Sequence, residues 1–161
     1  MTRPITAAGL ASIAALAFFS VAVAAGAGAT TYNASLTAVN PAATTAGLAS
    51  VTGKAHLVDG TSNKASLHVR NLVPGTTYLW HVHVGSCAAT GAPVAGWSYR
   101  TQVGANGTLT ANPAGNANTR ATSATFDAAP GTSYSVNVHV ATPTNGLPAG
   151  TIIACGDLIS P

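Results

Sequence analysis

From about residue 30 onward, apolar side chains recur at every second position, in short runs separated by Gly, Pro and Asn. Tyr32, Ala34 and Leu36 form one run, and Val51, Gly53, Ala55 and Leu57 a second. Over residues 65–70, Leu67 and Val69 point one way and His68 the other. Tyr78, Trp80, Val82 and Val84 alternate with His81 and His83, and Tyr134, Val136, Val138 and Val140 alternate with Ser135, Asn137 and His139. A period of two is the mark of a strand with one buried face and one open face. Residues 108–111, 121–126 and 151–159 read as further strands. Residues 88–96, 111–119 and 142–150 read as loops, and 59–63 and Pro74-Gly75 as turns. About seven or eight short antiparallel strands predict one all-β domain, a Greek-key sandwich or flattened barrel.

The first 29 residues follow another pattern. Arg3 is the one charge near the start, an Ala-rich apolar run extends to Ala25, and Ala27-Gly28-Ala29 offers a small-x-small cleavage site. This is the layout of a secretory signal peptide over 1–29, with Ala25 as the competing site, ahead of a domain over 30–161. An uncleaved anchor is the rival reading, and the Ala/Gly-rich end favours cleavage. The mature protein is then secreted or periplasmic and not embedded in a membrane.

Charge is sparse. Past the leader there are five cations (Lys54, Lys64, Arg70, Arg100 and Arg120), three aspartates (Asp59, Asp127 and Asp157) and no glutamate. Five cations scattered along the chain do not predict a nucleic-acid surface.

The candidate chemistry sits in the histidines and cysteines. His81 and His83 are two apart on one strand, so both imidazoles project from the same side and can chelate one metal ion. His139 has the same setting on a later strand. The three together read as a metal site on the outward faces of two strands. His56 and His68, flanked by Lys54, Lys64 and Arg70, read as solvated surface residues, although one of them could add a fourth nitrogen. Cys87 and Cys155 are the only cysteines. In an exported chain one disulfide between them is the economical reading, ahead of a thiolate metal site.

The order of motifs resembles the copper/zinc superoxide dismutases. Leu72-Val73-Pro74-Gly75 followed by Trp80-His81-Val82-His83, then Cys87, Val136-Asn137-Val138-His139 and Ala154-Cys155-Gly156, match four motifs of that family in sequence. The likeness runs from about residue 51 to 159. It implies His81, His83 and His139 as ligands of one copper per chain, and Cys87–Cys155 as the structural disulfide. The partners it implies are superoxide anion or a copper donor or acceptor protein.

The chain also departs from the family. Residues 88–107 hold no His, Asp or Glu, so that segment can supply neither a zinc site nor a bridging imidazole, and no zinc is expected. Ile152 stands where the family places an arginine that attracts superoxide. Arg100 could replace it only if its loop folds back, and Trp97 and Tyr99 either cover the site or pack that loop. The sequence therefore predicts an exported copper-binding protein of superoxide dismutase-like fold with weak or no dismutation. The alternatives are a functional copper-only dismutase and a metal-free structural or adhesion domain.

Overall fold

Alternating side chains give each strand of this protein one face for a shared core. A computed structural model describes residues 28–39, 43, 46–94, 107–123 and 126–160. The expected leader, except its last two residues, and the segment with Trp97, Tyr99 and Arg100 lie outside the described residues.

Among the described residues there are nine strands: β1 (Thr30–Ala38), β2 (Thr52–Asp59), β3 (Asn63–Arg70), β4 (Thr77–Ser86), β5 (Ala89–Pro93), β6 (Thr108–Thr110), β7 (Ala117–Ser123), β8 (Tyr134–Val140) and β9 (Ile152–Leu158). They form one antiparallel sheet in the order β5-β4-β8-β9-β1-β2-β3-β7, and β6 pairs with β4. β6 also lies against β7, so the two ends of the sheet approach one another as in a flattened barrel. Connections of Greek-key type run between these strands. β3 and β4 are successive in the chain but not neighbours, while β8 returns beside β4 and β9 lies beside β1.

The enclosed core holds Leu36, Leu57, Leu67, Val69, Tyr78, Trp80, Val82, Val136, Val138 and Ile153, each 3% exposed or less. Every second residue of β3 is buried, as its sequence predicts. The connection from β3 to β4 is pinned across the barrel by the turn between β6 and β7: the Leu72 amide donates to the Gly115 carbonyl and the Gly75 amide to the Ala111 carbonyl. Gly115 has φ +73°, and a Cβ there would stand 2.6 Å from the Leu72 oxygen. Only glycine fits that approach.

Three expectations need correction. Residues 89–93, expected in a loop, form β5. The run is rich in Gly and Pro, yet an edge strand tolerates both because one side of its backbone is unpaired. The strand expected over 121–126 begins earlier, at Ala117, where the ladder with β3 starts at Val69, and ends at Ser123. Val84, expected on the core face, is 43% exposed although it keeps its place opposite Tyr134; the irregularity beside it lies on β5, where three steps from Pro93 to Thr90 match two from His83 to Gly85.

Candidate metal centre

β4 and β8 are adjacent and antiparallel. His81 lies opposite Asn137, His83 opposite Ser135, and Leu79 opposite His139. Directly opposed residues share a face of the sheet, as do residues two apart on one strand. This register puts His81, His83, Ser135, Asn137 and His139 on one surface, with Trp80, Val82, Val136 and Val138 behind them in the core. Ring centroids are 5.3 Å apart for His81 and His83, 4.5 Å for His81 and His139, and 5.6 Å for His83 and His139. One nitrogen from each of the three rings lies within 4.8 Å of the others, a spacing that could hold a metal ion.

The surface is not open, however. Each of the three imidazoles is 6% exposed, and Ser135 and Asn137 are fully buried, so β8 is buried on both faces. The alternation of β8 gives two distinct faces but does not reveal that the polar one is roofed. Part of the roof is main chain. His83 Nδ1 donates to the Gly91 carbonyl of β5 (2.8 Å), and His139 Nδ1 donates to the Gly150 carbonyl of the loop before β9 (3.0 Å).

These two bonds decide the chemistry of the rings. A carbonyl oxygen only accepts, so Nδ1 of both rings carries the proton. In each neutral ring Nε2 is then left as a lone pair. His83 Nε2 faces His81 Nδ1 at 3.3 Å, and His139 Nε2 is buried with no hydrogen-bond partner. Burial pushes the His139 pKa below the ordinary histidine value; the Gly150 bond opposes this and the nearby His83 adds to it. Neutral imidazoles with fixed tautomers are the state in which histidine ligates metals.

Two further groups on this face were not singled out from sequence. Ser135 Oγ and both polar atoms of the Asn137 side chain are buried without a partner. A buried amide left unsatisfied costs about 1–3 kcal/mol. Their only signal in the sequence is polarity at alternate positions of a strand whose other face is Val and Tyr.

Around the trio, Ile152 is the cross-strand neighbour of His139 and is half-buried. Cys155 pairs with Asn137 across β8 and β9 and is bonded to Cys87 in the β4–β5 turn, 68 residues away in sequence, with a Cα–Cα distance of 5.7 Å. The disulfide is compatible with an oxidising extracellular or periplasmic compartment. It anchors the turn that leads into the Gly91 roof, and Asp157 Oδ1 reinforces it by accepting from the Cys87 amide (2.7 Å). His56 and His68 lie on β2 and β3, outside the cluster, and neither adds a nitrogen to it. No family model matches this chain, and no curated protein matches it either.

Proposed function

We propose that this protein binds copper through His81, His83 and His139, the last two through Nε2, as an exported relative of the superoxide dismutases with little or no dismutase activity. The observation that carries the reading is the buried, unpartnered His139 Nε2 in a cluster where Gly91 and Gly150 fix the tautomers of His83 and His139. The donor set suits the ion. It is all imidazole nitrogen, without the carboxylates that hard cations require, and nitrogen sites favour copper(II) among divalent first-row metals. In the resembling family, a bound copper supplies a one-electron couple that oxidises one superoxide and reduces the next.

The remaining residues argue for slow turnover. Ile152, beside His139, neither attracts nor orients an anion. Among the described residues the Lys and Arg side chains are on β2, β3 and β7, away from the β4–β8 face. No described cation therefore stands near the trio to supply the long-range attraction that raises encounter rates. Asn137, two residues from His139 and opposite His81, is the buried polar group placed to meet a fourth ligand or a water at the same centre.

Pulse radiolysis of the copper-loaded protein tests both halves of the reading. Superoxide turnover should fall well below the diffusional ceiling of about 10⁸–10⁹ M⁻¹s⁻¹. Ile152→Arg should raise it, and added salt should erase the gain. A wild type already near the ceiling makes the protein a true dismutase, and failure to load copper removes the proposal altogether.

A further inference from the structure

The second feature of this molecule that points to a ligand is a sheet face remote from the histidine trio. Antiparallel register aligns the outward residues of β1, β2, β3 and β7 in rows. One row is Ser35, Lys54, His68 and Asn118, and the next is Asn33, His56, Ser66 and Arg120. The row beyond Lys54 contains Thr52 and Arg70, and the row beyond Arg120 contains Val58, Lys64 and Thr122. Each of the four rows therefore carries one full positive charge: Arg70, Lys54, Arg120, Lys64.

Rows on one face of a sheet are two residues apart, roughly 7 Å, so the four cations form a ladder roughly 20 Å long, parallel to the strands. All four side chains are exposed, and among the described residues none makes an ion pair. A groove of about 1120 Å³ runs over the same face, lined by Lys54, His56, His68 and Arg120. The one carboxylate on its lining is Asp157, which the Cys87 amide already engages. Four of the cations scattered in the sequence, all those among the described residues, are thus gathered on a single surface.

We infer that this face binds a linear acidic polysaccharide along the strand direction. A ladder of exposed cations with no ion pair among the described residues, Arg70 being hydrogen-bonded to His68, complements a polymer with regularly spaced carboxylates or sulfates. Between the cations stand Asn33, Ser35, Ser66 and Asn118, amides and hydroxyls suited to the hydroxyl-rich remainder of a sugar chain. The rings on these rows are the imidazoles of His56 and His68, without the larger Trp, Tyr or Phe faces on which bases stack best, and Val58 and the groove-lining Ile159 are too few apolar residues to enter a bilayer.

The test is calorimetric titration of the full, disulfide-intact protein at low salt with polygalacturonate, with neutral dextran and oligothymidylate in parallel. Polygalacturonate should bind, dextran should not, and added salt should weaken the complex. The double variant Lys54→Gln/Arg120→Gln should lose about tenfold or more in affinity, whereas Arg120→Lys, which keeps the charge, should retain most of it. Lys64→Gln/Arg70→Gln, at the two ends of the ladder, provides an independent pair should the first fold poorly. No binding by the wild type, or unchanged affinity in both double variants, overturns the inference. Tighter binding of oligothymidylate than of polygalacturonate overturns the polysaccharide assignment and gives the ladder to nucleic acid.

Discussion

Five histidines stand on the strands of this barrel with their backs to its core, and they divide into two populations. His81, His83 and His139 lie on β4 and β8 under a roof, on a face without a single Lys, Arg, Asp or Glu among its β4 and β8 residues. His56 and His68 lie on β2 and β3 beside Lys54 and Arg120, on a face open to water. Residue by residue the two settings look alike in sequence: an imidazole alternating with Val, Leu or Ala. The difference is what lies above the sheet. Covered, the imidazoles lose solvent and stand close enough together to hold a metal ion between them. Uncovered, they join cations in a surface that an anion can reach.

The sharpest way to break this division is to remove one ring from each population. His83→Ala or His139→Ala should weaken copper binding beyond the roughly 10–100-fold typical of losing an outer-shell partner, while His68→Ala should leave it unchanged. Copper titration by calorimetry on the three variants decides this. Equal losses for His68 and His139 would merge the two faces into one site.

Opening the disulfide should come next in size. Cys87→Ala/Cys155→Ala releases a constraint across 68 residues and should cost about 2–5 kcal/mol in denaturant unfolding. Because the bond holds the turn beneath the roof, hydrogen exchange should accelerate over β5 and the β4–β5 turn while β2 and β3 keep their protection. Uniform acceleration over both faces would show the bond to be a global staple only.

Asn137→Leu asks why the covered face keeps an unsatisfied amide. The metal-free variant should be more stable than the wild type by about 1–3 kcal/mol, since the desolvation cost disappears with the amide. Its copper affinity should fall, and a rise in both quantities would deny the side chain any part in the site. The smallest effect concerns acid. His139 has its folded pKa depressed by burial, so as pH falls the unfolded chain takes up the proton first. Its contribution to stability is complete above the ordinary histidine value of 6.5 and is lost on acidification from there toward the folded value. Thermal melts of the metal-free protein should therefore fall with acidification below that value, and less so in His139→Gln.

How much of this was legible depends on whether side chains or backbone carried the information. The strand faces were legible, because Leu67 and Val69 against His68, or Val136 and Val138 against Asn137 and His139, follow from a period of two. The two cysteines pointed to a disulfide through their number and the expected export. The gathering of Lys54, Lys64, Arg70 and Arg120 was not legible. Those residues are separated by stretches that the antiparallel register folds away, and only the pairing of β2, β3 and β7 shows that they share a face. The burial of the imidazoles was hidden for another reason. Their roof includes β5, whose Gly and Pro read as a loop, and a connection before β9 that has no periodicity at all.

One feature of that roof bears on how the protein would behave under mutation. The groups that orient His83 and His139 are the carbonyls of Gly91 and Gly150, and every amino acid supplies a carbonyl. An alanine scan would nonetheless find both glycines sensitive beside the three histidines, because a Cβ on Gly91 would stand 2.8 Å from the Val84 oxygen and Gly150 has φ +85°. Changes in the length of either connection would shift the carbonyls themselves. Sensitivity at the two glycines and fragility to insertion or deletion would then be two aspects of one design, in which the supporting layer is written in chain path rather than in side chains.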